Sequence, residues 1–357
     1  MATHPADILN RIADRKGRRG LLVALIAVLG LSSQPAGAQN CAECAISAAV
    51  ETPASASEWT ISKQVNEVNV LFLASRGGKT AGDLSQNDIL VEDDGKPPAA
   101  ILGFRTEHDL PLRVGMVIDT SSSVNSRFRF EQAAASLFLR QVLQGEDDLA
   151  FVMGFDNHPK VTQDFIHDAN LLSQGVEKLH PDGGTALYDA VSRACQKLQR
   201  RPEQEMVARV LVVLSDGDNN AGFVSLEGAI DAAQRAEVTI YAISTNWNSQ
   251  RQSCDLGNNN LRRLAEQTGG RVLMPSDSKA VTKAFAKIGE ELRSRYAISY
   301  KPADFVSDGH YRKIKIHAHQ AGEKVQIRAR KGYYANPVRR INAESRDADS
   351  AVTLASR

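Results

Sequence analysis

The chain has 357 residues, enough for two domains with further segments, and its 42% hydrophobic and 24% charged residues are ordinary globular values. A formal net charge of +1 gives no global electrostatic argument for a nucleic-acid or membrane partner. Four cysteines, at positions 41, 44, 195 and 254, leave three possible pairings.

The N-terminus reads as a targeting segment. Arg15, Lys16, Arg18 and Arg19 form a basic region, Leu21 to Leu31 is an apolar run short for a bilayer span, and Ala36-Gly37-Ala38 offers small residues for cleavage. Residues 1–38 are therefore expected to be a signal peptide, with an uncleaved anchor as the alternative. Arg18-Arg19 before Leu21-Leu22 partly matches a twin-arginine signal, which leaves the export route open. Cleavage would leave no stable membrane span and would place the mature chain in the periplasm or outside the cell, where disulfides persist. Residues 39–58, rich in Ala, Ser and Glu, read as a linker. Cys41 and Cys44 within it suit a local disulfide, a redox pair or half a metal site.

Residues 59–110 carry a β pattern. Val68, Val70 and Phe72 alternate with Asn69 and Leu71, Gly77-Gly78 is a turn, and Asp93-Asp94-Gly95 is a hairpin signal. Residues 111–296 then alternate short apolar runs with amphipathic stretches. Apolar runs fall at Val114–Ile118, Leu149–Phe155, Val207–Leu214, Val238–Ser244 and Arg271–Met274, with an edge strand at Val161–Phe165. Helices are expected around Phe130–Phe138, Leu171–Leu179, Ala186–Leu198, Leu226–Arg235, Asn260–Gln267 and Ser278–Arg295. This alternation predicts an α/β domain with a doubly wound, mainly parallel sheet.

Residues 297–336 return to β. Lys313, Lys315, His317 and His319 alternate with Ile314, Ile316 and Ala318, and Val325, Ile327 and Ala329 alternate with Gln326, Arg328 and Arg330. The apolar face can supply a second layer for residues 59–110, giving a small β-sandwich built from both flanks. The basic face reads as a wet sheet face, with anionic lipid or glycan, or a transition metal at His317 and His319, as other readings. Residues 337–357 are polar and read as a mobile tail.

The chemistry concentrates in three short segments. Asp119, Ser121 and Ser123 follow the apolar run Val114–Ile118 on alternate residues, where open α/β sheets bind ligands. Gly183-Gly184-Thr185 precedes a helix, and Ser215-Asp216-Gly217 closes the run Val207–Leu214. Side by side at the switch point, these runs would gather two carboxylates and three hydroxyls, a donor set for a hard cation, Mg2+ above all, with Mn2+ or Ca2+ also compatible. Such an ion keeps waters that a partner's carboxylate can replace. Cys195, on an apolar helical face, is expected to be buried and inert. Cys254 and Trp247 are placed in a loop at the same sheet edge, Trp247 either as a contact residue or as a cap on the sheet.

These three segments resemble the metal-ion-dependent adhesion site of von Willebrand factor A-type domains, over about residues 111–296. The flanking segments 88–96, 184–189, 240–243, 268–271 and 330–334 resemble a bacterial exported family related to it. The resemblance implies ligation by Asp119, Ser121, Ser123 and Thr185, with Asp216 acting directly or through water. Ser215 stands where the commoner pattern has Thr, a swap not expected to affect ligation. The expected function is exported, metal-dependent binding of a protein ligand through an exposed Asp or Glu of that partner. A non-catalytic envelope scaffold with a structural metal site is the alternative. An enzyme using Asp119 as nucleophile is not expected, because no GxSxG, HExxH or GxxxxGK[ST] motif occurs.

Overall fold

A computed structural model describes residues 67–107, 110–125, 127–203, 206–246 and 252–335. The expected signal peptide, linker and tail, Cys41, Cys44 and Trp247 lie outside the described residues. The strands are β1 (Val68–Arg76), β2 (Lys79–Thr80), β3 (Ile89–Asp93), β4 (Ala100–Glu107), β5 (Leu112–Asp119), β6 (Leu149–Phe155), β7 (Pro159–Ile166), β8 (Ala208–Ser215), β9 (Val238–Ser244), β10 (Val272–Leu273), β11 (Arg295–Lys301), β12 (Tyr311–Gln320), β13 (Glu323–Ala329) and β14 (Gly332–Tyr334). The helices are α1 (Phe128–Val142), α2 (Ala169–Glu177), α3 (Leu187–Arg200), α4 (Leu226–Arg235), α5 (Gln252–Gln267) and α6 (Ser278–Leu292).

The α/β part is a six-stranded sheet in the order β10-β9-β8-β5-β6-β7, parallel except for the antiparallel edge strand β7. The chain enters at the centre, runs out to β7, then returns beside β5 to build the other half. The switch point therefore lies between β5 and β8, as expected. Every residue of β5 is buried. Val114, Met116 and Ile118 pack with α1, α2 and α6 on one face, while Val117 packs with α3, α4 and α5 on the other. Each such aliphatic side chain contributes roughly 1.5–3 kcal/mol by burial. Gly115 is glycine because a Cβ there would stand 2.6 Å from the Phe151 ring and 2.7 Å from Leu211.

The flanks depart from expectation. Instead of a two-layer sandwich they form one eight-stranded sheet, with the path β14-β12-β13-β1-β11-β4, β2 on β1 and β3 on β12. N-terminal β1 inserts between C-terminal β13 and β11, antiparallel to both. The sheet curls around its own core of Val68, Val70, Phe72, Tyr296, Ile298 and Ile314. Phe72 stacks on Tyr296 at 5.5 Å, and Asp93 takes hydrogen bonds from Tyr300 (2.8 Å) and Tyr333 (2.9 Å). The expected boundary after residue 296 falls inside β11, which belongs to this sheet.

The other face of the curled sheet meets the α/β part. Leu73 is buried in the α/β core and Leu71 packs against it. This corrects the reading of the basic hairpin face as wet: Arg328 pairs with Glu291 of α6 at 2.6 Å, and Arg330 pairs with Glu237 at 2.8 Å. Lys313, Lys315, His317 and His319 remain exposed, as expected. The segment 268–271 is a joint between the layers. Gly269 has φ +85°, and a Cβ there would stand 2.6 Å from the Arg330 backbone. Gly332 gives β14 its close approach to Arg312, and Tyr334 bonds Asp231 beside α4. Helix α5 starts at Gln252, so position 254 lies in its first turn and not in a loop.

Candidate functional site

Burial fixes the apolar part of β5 and β8, and the sheet then delivers both polar ends to one place. β5 ends on Asp119, whose side chain is fully buried and engaged on both oxygens. Oδ1 accepts the Ser121 amide at 2.9 Å, and Oδ2 accepts the Ser215 hydroxyl at 2.8 Å. Ser121 and Ser123 bring their hydroxyls to 2.9 Å, and the Ser123 hydroxyl donates to Asp216 Oδ2 at 3.1 Å. The Asp218 amide holds the other Asp216 oxygen at 3.1 Å. Asp119, Ser121, Ser123 and Asp216 therefore form one hydrogen-bonded cluster.

The third segment is stitched to the same place. The Ser122 amide donates to the Gly183 carbonyl at 3.2 Å, and the Asp182 amide donates to the Thr120 carbonyl at 2.6 Å. Gly183 sits at φ +69°, and a Cβ on it or on Gly184 would run into Asn157. Thr185 is buried beside this turn. Its amide donates to Asn220 Oδ1 at 2.8 Å, and its carbonyl accepts the Asn220 amide at 3.0 Å.

Several residues that build the site stand outside the expected set of ligands. Ser215 links Asp119 to the Gly217 amide, which donates to its hydroxyl at 3.0 Å. Asn157, Asn219 and Asn220 hold the amides of Gly184, Tyr188 and Thr185. The polar run Asp216–Asn220 straight after an apolar strand was the available clue. Behind the cluster, Glu131 of α1 is fully buried with Arg127 at 3.0 Å, and Arg127 reaches the Thr245 hydroxyl at 3.0 Å.

The electrostatics are those of crowded negative charge. Burial pushes the Asp119 carboxyl up to about 6; Asp216 adds to this, while hydrogen bonds from Ser121 and Ser215 oppose it. Burial pushes Glu131 up to about 7 against the pull of Arg127, with the charges of Asp119 and Asp216 adding to the rise. Among the described residues no group of three or more His, Cys, Asp or Glu gathers as metal ligands. The cluster instead combines two carboxylates with neutral hydroxyls. An all-oxygen set of this kind fits a hard divalent cation, which would also offset the crowded charge. Cys195 is free and fully buried, and burial raises its thiol far above the usual range, in keeping with an inert core residue.

Residues 114–287 match the family model described as von Willebrand factor type A domain. No curated protein matches the chain. Among solved structures, the chain is similar to the vWF domain of the type V pili tip protein Mfa5 from Porphyromonas gingivalis, at 16% identity over 52% of this chain and 95% of that one, with a TM-score of 0.43. It is similar to an aerotolerance-related membrane protein from Bacteroides fragilis, at 18% identity over 50% of this chain and 98% of that one, with a TM-score of 0.40. It is also similar to a von Willebrand factor type A structure from Catenulispora acidiphila, at 12% identity over 71% and 74% of the two chains, with a TM-score of 0.43. The sheet order, the helices on both faces and the family model agree: the α/β part of this chain, residues 114–287, is a von Willebrand factor type A domain.

Proposed function

We propose that this protein is an exported binding module that captures a carboxylate of a partner protein through a divalent cation, Mg2+ foremost. The observation that carries this reading is the hydrogen-bonded cluster joining Asp119, Ser121, Ser123 and Asp216 across the switch point of the sheet. Asp119, Ser121, Ser123 and Thr185 would hold the ion, with Asp216 ligating directly or through water. The ion would supply the positive charge that draws the partner's Asp or Glu. Export rests on the composition of residues 1–38.

Binding suits the site better than catalysis by Asp119. Its side chain is fully buried, so a small cation can reach a remaining lone pair more readily than a bulky substrate atom can approach for attack. Ser122 and Ser123 are exposed on the same loop, which gives a guest group access. Phe223 is 97% exposed on the loop that follows Asn220, and it is the aromatic contact we assign beside the ion.

The decisive experiment is a partner pulldown from native envelope material with wild-type and Asp119→Ala protein, in Mg2+ and in EDTA. Capture should require both Mg2+ and Asp119, and Phe223→Ser should weaken capture without changing Mg2+ uptake. Capture that persists unchanged in EDTA and in Asp119→Ala would refute the reading. A second reading is favoured by the burial of Asp119, Ser121, Thr185 and Asp216, which leaves little of the cluster open. The metal would then brace a non-catalytic assembly subunit. Under that reading Mg2+ raises thermal stability while Ser121→Ala leaves partner capture intact.

A further inference from the structure

The seam between the parallel sheet and the curled sheet holds more positive charge than its carboxylates answer. Arg295, the first residue of β11, is 4% exposed, and neither of its terminal nitrogens has a hydrogen-bonded acceptor. Nη1 of Arg328 on β13 is likewise buried without an acceptor, and the hydroxyl of fully buried Tyr241 on β9 lies beside Arg295 without a partner of ordinary hydrogen-bond geometry. Arg295, Arg328 and Tyr241 line one small cavity together with Leu71, Leu73, Thr239 and Gly269. The neighbouring carboxylate, Glu291, is already engaged: Oε1 meets Arg271 at 2.7 Å and Oε2 meets Arg328 at 2.6 Å. Three guanidinium groups thus share a single carboxylate.

An arginine cannot shed its proton to escape this, and a buried cation without a counter-charge is costly. Burial works against the Arg295 charge, and the nearby Tyr241 and Glu291 favour it. The cavity has room for about one water-sized body. A water there would find few acceptors for its own hydrogens, the hydroxyl oxygens of Tyr241 and Thr239, whereas an anion accepts from every guanidinium and hydroxyl donor. The small space favours a compact monatomic anion over a carboxylate or phosphate.

We propose that this cavity is a halide site, with chloride held by Arg295, Arg328 and Tyr241. The ion completes the coordination of Arg295 and ties β11 and β13 of the curled sheet to β9 of the parallel sheet. It therefore couples the two layers, at a place separate from the Asp119 cluster.

The test uses the full mature chain. Crystals soaked in sodium bromide should show an anomalous peak in the cavity, in contact with Arg295 and Tyr241. The melting temperature should rise saturably in sodium chloride relative to sodium gluconate at equal ionic strength, by about 2–4 °C for a tenfold excess over the dissociation constant. Arg295→Met should lose that chloride gain, and Tyr241→Phe should reduce it in case the arginine variant does not fold. A water in the cavity with no bromide peak would overturn the proposal. So would a chloride gain retained in Arg295→Met or Tyr241→Phe, or a peak without any chloride dependence of stability, which marks an adventitious ion only.

Discussion

The Ser215 hydroxyl donates to Asp119 Oδ2 at 2.8 Å across 96 residues of sequence, and its oxygen accepts the Gly217 amide at 3.0 Å. One side chain thereby fixes the orientation of the first carboxylate and the shape of the turn that presents the second. Ser215→Ala should leave the Asp119 oxygen and the Gly217 amide unpaired in a buried setting, costing about 1–3 kcal/mol. Urea unfolding should show this loss, and Ser215→Thr should restore most of it. Stability of Ser215→Ala equal to wild type would show that the link does not organise the turn.

Metal uptake should depend on the carboxylates. Titration calorimetry with Mg2+ should give a single binding event in the wild type, none in Asp119→Ala, and a weakened one in Asp216→Asn. A wild-type protein that takes up no divalent ion, or an Asp119→Ala variant that binds Mg2+ as well as wild type, would remove the metal from this site.

Glu131 sets a pH dependence of stability in EDTA. Burial raises its carboxyl from 4.5 to about 7 in the folded protein, so the folded state binds more protons than the unfolded chain between those values. Its stabilising contribution is therefore complete below about 4.5 and is lost as pH rises through about 7. In Glu131→Gln that loss disappears, so stability relative to wild type should climb by on the order of 2 kcal/mol between pH 5 and 8. Any changed contact to Arg127 adds only a constant offset, so parallel wild-type and Glu131→Gln profiles would contradict this.

At the seam, Glu291→Ala should be severe. It strips Arg271 and Arg328 of their shared carboxylate and should cost on the order of 3 kcal/mol. Glu227→Ala, which breaks the exposed pair with Arg263, should cost far less, because solvent screens that pair. Equal effects in thermal melts would show that the seam pair is as weak as a surface one.

Gly115→Ala probes the packing under the site. The new methyl would meet Phe151 and Leu211 at under 3 Å, and overpacking of this kind costs about 1–3 kcal/mol. Because β5 carries Asp119 four residues on, Mg2+ affinity should fall with stability. An unchanged melting temperature would mean the Phe151 ring swings aside freely.

Reading the sequence succeeded where the signal is local. The buried strand Val114–Ile118 and the alternation after it gave the doubly wound sheet, and the glycines at 183 and 184 marked a turn that admits no side chain. It failed where the deciding partner is distant. Alternation in β13 identified a basic face but could not show that Glu291 and Glu237 cover part of it. The helix α5 was expected eight residues late, because Gln252–Asn259 is mostly polar and the close approach of its Gly257 to the Asp216 turn is a tertiary contact that no local pattern announces.

The amino-acid order alone determined an α/β chain with three oxygen-rich segments, each placed at the end of an apolar run or the start of a helix. Periodicity and turn chemistry act over a few residues, and they are written wherever those residues stand. The tertiary structure decided which oxygens share a cluster, that Asp119 lies buried with its charge opposed, and that the flanks wrap into one curled sheet docked through arginines. Those outcomes depend on strand order and on desolvation, which exist only once segments far apart in the chain have packed together.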